Sequence, residues 1–297
     1  MNKSNEIYCN KLGRIYYLKH ILETLLIKLL SSLSTKHIKN NDFQVAIFAF
    51  DGIGTTINVK GIYEREHLET AMGWLQANNL IKGSAIDVGA NIGNHSLYFS
   101  KYYHQVFSFE PNPKTFNLLE INSKLAKNIK PINFGLSNIN GSVEMLPCLE
   151  NMGGSKIVDN PKKTSSIIKI EVKTLDSIAH EITSPIGLIK FDVEGHEYNA
   201  IYGAQTVIKA NKPIILFEQN TADFKDGDSQ TIGLLKSIGY DKFATIMPTS
   251  LMPMWTPRFL KSVLTLFIRL TIGFSYKISI NNNIAPGFYS FIIAIPK

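Results

Sequence analysis

Ser84-Ala-Ile-Asp-Val-Gly-Ala-Asn-Ile-Gly-Asn-His95 is a short apolar run that ends in an acid and then uses two glycines within five residues. Residues 85–88 read as a buried strand, and Gly89 and Gly93 stand where a strand turns tightly and hands over to a helix starting near Asn94. Such a turn brings backbone N–H groups close to a ligand, and an acid at the strand end accepts hydrogen bonds from a hydroxyl or amine. The Gly-x-Gly-x-x-Gly order of a dinucleotide site is missing, because Ala90 follows Gly89. No Gly-Lys-Ser/Thr follows either, so the cradle suits a nucleoside-sized cofactor without a pyrophosphate.

Working outward, the same strand-then-acid pattern recurs. A strand over 105–109 ends at Glu110, 23 residues beyond Asp87, and Pro111-Asn-Pro113 opens a helix over 114–126. An acid at that spacing, at the end of the next parallel strand, is placed to hold ribose hydroxyls. A third strand over 130–134 ends in Gly135-Leu-Ser-Asn138, small polar residues suited to an adenine edge. The apolar strand 186–191 holds a single lysine, Lys190, and ends in Asp192-Val-Glu-Gly-His-Glu197 before a helix over 198–209. The strand 214–217 ends in Glu218-Gln-Asn220, with a helix over 229–238 behind it. In an open parallel sheet these ends face one crevice.

Strands over 141–147 and 166–172, separated by the loop 151–155, read as an antiparallel insertion, and 174–179 as a short helix or turn. Further strands are expected over 240–246 and 288–295. Upstream of the cradle, 43–60 reads as a hairpin turning at Asp51-Gly52. A helix follows Gly61-Ile-Tyr-Glu64 and runs through Leu75, closed by Asn78-Asn79. Tyr63 and Glu64 therefore stand on the substrate side.

The sequence carries a formal net charge of +7 on 297 residues, but the positive charge is concentrated at the flanks. Residues 1–40 hold seven Lys/Arg against two Glu, and residues 251–280 hold four Lys/Arg and no acid. A nucleic-acid enzyme places basic residues around its site, so this distribution argues against nucleic acid. Two apolar, basic helices are expected, over 17–33 and 258–273, with a polar linker at 34–42. Both are too short or too charged to span a bilayer. They either pack on the domain or contact an anionic membrane surface. Cys9 and Cys148 form no disulfide framework and no metal motif, which fits a reducing, cytoplasmic compartment with any membrane contact at the inner face. The division is a helical extension over 1–42 and a catalytic domain over 43–297.

With these residues placed, residues 43–296 resemble the FkbM-type S-adenosylmethionine-dependent methyltransferases. The resemblance is carried by Gly61-Ile-Tyr-Glu64, Ile86-Asp-Val-Gly-Ala-Asn-Ile-Gly93, Phe109-Glu-Pro-Asn112, Val172-Lys-Thr-Leu-Asp176 and Ile189-Lys-Phe-Asp-Val-Glu-Gly-His-Glu197. It implies an α/β, doubly wound, Rossmann-like fold with a seven-stranded, mostly parallel sheet. The last strand, 288–295, would be an antiparallel edge partner. It further implies that Asp87, Gly89, Asn91 and Gly93 wrap the methionine half of S-adenosyl-L-methionine, with Glu110 on the ribose. Asn112, Ser137 and Asn138 complete the nucleoside side, and Asp192 faces the sulfonium and the acceptor. The implied reaction is methyl transfer to a hydroxyl of a sugar, glycan or glycolipid precursor.

A base must take the hydroxyl proton, and His196 has the natural pKa for it, oriented by Glu194 or Glu197. Asp192, Glu194 and Glu218 are the carboxylates expected beside it. Glu197 and His196 equally suit a helix-capping role. No dedicated metal motif is present and no metal is expected. The competing readings are an RNA or protein methyltransferase, a nicotinamide-dependent oxidoreductase and a non-enzymatic membrane-peripheral protein. The first lacks an aromatic-basic surface and an Asn-Pro-Pro-Tyr-like motif, the second lacks the middle glycine, and the third leaves the acids and glycines without a use.

Overall fold

The structure, a computed structural model, describes residues 17–40, 42–148, 154–157, 167–225, 227–249 and 275–297. The chain opens on α1 (Tyr17–Lys39), which buries none of its residues. The helix runs through most of the stretch expected as a polar linker. Among the described residues, its C-terminal end is clipped to the body, where His37 Nδ1 lies 2.9 Å from Asp42 Oδ2 and His37 Nε2 lies 3.0 Å from the Val59 carbonyl. The packing expected of this helix is therefore confined to one end.

The hairpin expected over 43–60 does not form. Asp51 accepts a hydrogen bond from the Ile53 N–H and caps α2 (Gly52–Lys60), which ends at the left-handed Gly61. An Asp-Gly pair serves a helix start as well as a turn, and the helix wins because residues 43–50 find another partner. Asn122 holds them by accepting from the Ala46 N–H at 2.7 Å and donating to the Ala46 carbonyl at 2.9 Å. Next, α3 (Arg65–Ala77) buries Leu68, Ala71, Met72 and Leu75, one helical face.

The central sheet begins with β1 (Ser84–Val88), all of it buried, followed by α4 (Asn94–Phe99) and β2 (Val106–Phe109). Asn112 then caps α5 (Pro113–Ser123), whose first-turn proline loses no helical hydrogen bond. After β3 (Ile129–Ile132) the chain leaves the sheet for β4 (Gly135–Leu136), β5 (Gly141–Leu146), β6 (Lys156–Ile157) and β7 (Ile168–Lys173), a separate sheet in the order β4-β7-β5-β6. This is the expected insertion. It is antiparallel except where β4 pairs with β7 in parallel.

A short 3-10 turn over Asp176–Glu181 returns the chain to β8 (Ile186–Phe191), α6 (Glu197–Tyr202), α7 (Gln205–Asn211) and β9 (Ile214–Gln219). The helix expected over 198–209 is broken at Gly203, where a Cβ would collide with the Ser137 carbonyl oxygen. Asp176 starts the second half by accepting from the Thr206 and Val207 N–H groups. The chain closes with β10 (Phe224–Lys225), β11 (Asp228–Ser229), α8 (Gln230–Ser237), β12 (Tyr240–Pro248), β13 (Tyr276–Asn281) and β14 (Tyr289–Pro296).

The main sheet has eight strands in the order β13-β12-β14-β9-β8-β1-β2-β3. The strands from β3 to β9 are parallel, and β14 runs antiparallel between β9 and β12. The last strand is thus antiparallel as expected but internal, and the extra strand β13 takes the edge. Continuous burial of Ile292, Ile293 and Ala294 is what an internal position demands. Alternate residues feed two cores: Ile86, Val88, Phe109, Ile189 and Phe191 on one face, and Ala85, Val106, Leu188 and Leu216 on the α3 face. From β1 the chain proceeds outward through β2 on one side and later through β8 and β9 on the other. A crevice opens where that order reverses. The apolar basic helix expected over 258–273 and residues 151–153 of the insertion loop lie outside the described residues. Among the described residues no helix is long and apolar enough to cross a membrane.

Candidate active site

At that switch point lies an open cleft of about 1270 Å³ including its mouth, lined by Tyr63, Glu64, Gly89, Asn91, Glu110, Asp192, Glu194, His196 and Glu218 among others. One wall is the turn after β1. Gly89 has φ +77°, and a Cβ there would strike the Asp192 carbonyl oxygen, so the crossing of the β1 and β8 ends requires glycine. Gly89 and Ala90 N–H groups donate to the Phe109 carbonyl at 3.0 Å, locking the turn to β2. Asn91 follows with φ +50°, and its Oδ1 is buried with no donor. A buried acceptor without a donor costs stability and suits a ligand that brings one.

Glu110 sits beside this turn, 7% exposed, where Oε2 accepts from the Asn91 N–H at 3.0 Å and Oε1 from the Asn112 N–H at 2.9 Å. Each oxygen keeps a lone pair for a hydroxyl. Burial pushes this carboxyl up to about 7, with the two N–H donors pulling the other way.

The opposite wall is acidic. Carboxylate oxygens of Asp192, Glu194 and Glu218 lie within 4.8 Å of one another. Burial pulls Asp192 upward, yet Lys190 and His95 hold its carboxyl below the ordinary aspartate range. Glu218 moves the other way, raised by burial and then by Asp192 and Glu194, and it shares a hydrogen bond with Asp192. Within this pair Asp192 holds its charge and Glu218 is the more readily protonated member. Glu194, held at φ +53°, is raised by burial and by Asp192. Burial and the carboxylates of Glu64, Asp192, Glu218 and Glu194 push the Tyr63 phenol up to about 12. Asn94 fixes Tyr63 through reciprocal 3.0 Å bonds to its backbone N–H and carbonyl.

Six residues expected at the site stand outside this lining. Asp87 is fully buried behind it, with Oδ2 accepting from Ser96 at 2.6 Å and Oδ1 from Lys190 at 3.1 Å. Gly93 shapes the turn, and Asn112 caps α5 with its Nδ2 buried and unpartnered. Ser137 and Asn138 stand behind His196 and leave Gly135 and Leu136 to face the cleft. Glu197 is 4% exposed and accepts from the Val193 and Gly195 N–H groups, so it holds its own loop and lies away from the substrate side.

His196 reaches the cleft but is held at both ring nitrogens. Asn199 Nδ2 is 3.2 Å from Nδ1, and Ser137 Oγ is 2.9 Å from Nε2. Because an amide N–H only donates, Nδ1 accepts and Nε2–H donates to Ser137, which passes its own proton to Asn138 Oδ1 at 3.2 Å.

Asn94, Phe288 before β14 and Ser290 within it also line the cleft, and Lys190 stands behind its floor, bonded to Asp192; the sequence reading places none of the four at the site. Only Lys190 carried a sequence signal, as the lone charge inside a fully apolar strand. His95 in the first turn of α4 lines the cleft with Nε2 3.3 Å from Glu64 Oε2, without hydrogen-bond alignment.

The methyltransferase FkbM domain profile matches residues 87–242, 156 of the chain's 297. A protein described as hexuronic acid methyltransferase AglP, from Haloferax volcanii, is 32% identical over 145 residues, covering 47% of this chain and 57% of the relative. A protein described as methyltransferase 1, from Beauveria bassiana, is 26% identical over 141 residues, covering 40% and 57%. The chain thus spans a little over half the length of the curated relatives it matches. A solved structure of methyltransferase FkbM from Methylobacillus flagellatus aligns at 17% identity and TM-score 0.35 over 65% of this chain and 48% of that one. The match covers the cradle, Glu110, the acidic wall and the strands that carry them, and the chain belongs to the FkbM-domain family of S-adenosylmethionine-dependent methyltransferases.

Proposed function

We propose that the chain transfers a methyl group from S-adenosylmethionine to a hydroxyl of a sugar or sugar-bearing small molecule. The observation that carries the reading is the two-walled cleft, with a buried acceptor lacking its donor at Asn91 on one wall and the crowded carboxyls of Asp192, Glu194 and Glu218 on the other. The cofactor supplies an activated methyl on a sulfonium, whose positive charge an acidic wall favours. On the cradle side, Gly89, Asn91 and Gly93 shape the turn, Asn91 Oδ1 accepts from an amine or hydroxyl, and the free lone pairs of Glu110 take ribose hydroxyls. Gly135 and Leu136 border the nucleoside.

Asp192 is the proposed base. The acceptor's O–H proton becomes strongly acidic as its oxygen forms the new C–O bond, so a carboxylate of low pKa accepts it late in the transfer. The base's task is then mostly alignment and water exclusion. Glu218 donates its hydrogen bond to Asp192, and Tyr63 and Glu194 bound the acceptor. His196, with both ring nitrogens engaged, supports the loop and is not the first choice for the base. The sugar class is supported by the relative whose description names a hexuronic acid. Titration calorimetry with S-adenosylmethionine, S-adenosylhomocysteine and NAD tests the reading; binding of NAD alone would overturn it.

A contact between α1 and an anionic membrane surface is proposed from that helix itself. Leu18, Leu22, Leu25, Leu26, Ile27 and Leu29 are each more than half exposed, and lysines 19, 28, 36 and 39 accompany them against Glu23 alone. Salt-sensitive cosedimentation with anionic vesicles, lost on removing residues 1–40, is the expected result. Equal sedimentation with neutral vesicles would refute an electrostatic contact.

A further inference from the structure

A lysine inside a fully buried strand is costly unless its charge is matched, and Lys190 in β8 is 1% exposed. Burial alone would drive its ammonium toward neutrality, but Asp192 and Asp87 hold it charged, above the ordinary lysine range. Its Nζ lies 3.1 Å from Asp87 Oδ1 and 3.1 Å from Asp192 Oδ2. Asp87 is itself pinned, because Ser96 donates to Oδ2 at 2.6 Å and Ser108 donates to Ser96 at 2.8 Å. A polar chain therefore runs from Ser108 on β2, through α4 and β1, to Lys190 on β8, and emerges at Asp192 on the floor of the cleft. Every link before Asp192 is buried. Neutralising Asp87 would need contact with one carboxylate only. Bridging to Asp192 extends the chain to a residue that meets the ligand.

We propose that Lys190 is a positioning residue that fixes the orientation and charge of Asp192, so that the acceptor meets an ionised carboxylate. The groups acting on Asp192 come from every side: Lys190 from β8, His95 from α4 and Glu218 from β9. Glu194 from the following loop and Tyr63 from the segment before α3 share the same acidic field. Lys190 is the cation bonded directly to Asp192, so its removal leaves burial and the neighbouring Glu194 carboxylate to push the Asp192 carboxyl upward. The role of Asp192 as base rests on the methyltransferase reading; the linkage between Lys190 and the charge of Asp192 does not.

The test is carboxyl ¹³C NMR of the Asp/Glu-labelled full chain across pH 2–9, with Asp192→Asn and Glu218→Gln assigning the signals. Lys190→Met alone leaves Asp87 as an unpaired buried charge and risks unfolding. The Lys190→Met/Asp87→Asn double variant removes both buried charges and keeps an amide oxygen at position 87 to accept from Ser96. In the folded double variant the Asp192 midpoint is expected to rise by at least one pH unit, a tenfold change in proton affinity. Lys190→Arg, which keeps the cation, is expected to leave the Asp192 midpoint close to the wild-type value. An unchanged Asp192 midpoint in the folded double variant would overturn the proposal, as would Asp87→Asn alone reproducing the whole shift. Calorimetry with S-adenosylmethionine on the wild-type chain separates the readings: failure to bind together with a shifted midpoint discards the methyltransferase, not the linkage.

Discussion

The two walls of the cleft are built by opposite means. The cradle wall is mostly backbone: Gly89 and Ala90 bond to Phe109, and Asn91 and Asn112 N–H groups saturate one side of the Glu110 carboxylate. The acidic wall is side chains, with Asp192, Glu194 and Glu218 crowded together, Lys190 bonded to Asp192 and Asn220 donating to Glu218. A backbone cradle fixes shape and binds one invariant ligand. A wall of crowded carboxylates sets protonation states, and its side chains can be changed without changing the fold. The difference teaches where binding and chemistry divide in this molecule, and each prediction tests that division.

The largest effect is expected at Asp192. Asp192→Asn should lower kcat by about 10²–10⁴, the range for removing a positioned base, with cofactor affinity changed only a few-fold. A loss of affinity with kcat unchanged would move Asp192 to the binding wall. Gly89→Ala should destabilise the fold by about 3 kcal/mol, because the Cβ meets the Asp192 carbonyl and the positive φ is strained as well. Denaturant unfolding measures it, and a loss under about 0.5 kcal/mol would show that the cradle yields.

On the cradle wall, Glu110→Ala should weaken S-adenosylmethionine binding by at least tenfold, about 1.4 kcal/mol, while His196→Ala should leave that affinity nearly unchanged. Calorimetry distinguishes them; equal losses would mean that the walls are not separable. The smallest effect is on stability with pH. Burial raises Glu110 and Glu197 to about 7, so the stability they contribute is full below the ordinary carboxylate pKa of about 4.5 and is lost as pH rises through 7. Glu197→Gln should flatten that slope and raise Tm at pH 8 by a few degrees. A slope as steep in the variant as in the wild type would exclude Glu197 as a source.

Much of the cleft was legible because strand ends and glycine turns are local signals. Asp87, Gly89, Glu110, Asp192 and Glu218 all lie at the ends of strands that residues 84–95 and their sequels announce. What they face was not legible. Asp87 and Asp192 read as equivalent strand-end acids, yet one is sealed behind the sheet and the other stands on the cleft floor. His196 read as the natural base until its ring nitrogens met Asn199 and Ser137, the latter 59 residues away in sequence. The Asp51-Gly52 pair read as a hairpin because nothing local reveals that Asn122 takes up the preceding segment.

The sequence by itself determined the alternation of strands and helices and the acids at the strand ends, since periodicity and turn chemistry act over a few residues. Tertiary structure decided that the last strand is internal, that α1 buries none of its residues, and that Lys190 joins Asp87 to Asp192. Those outcomes depend on contacts between segments distant in the chain and on the burial that sets the charge of each acid, and neither is encoded in local spacing.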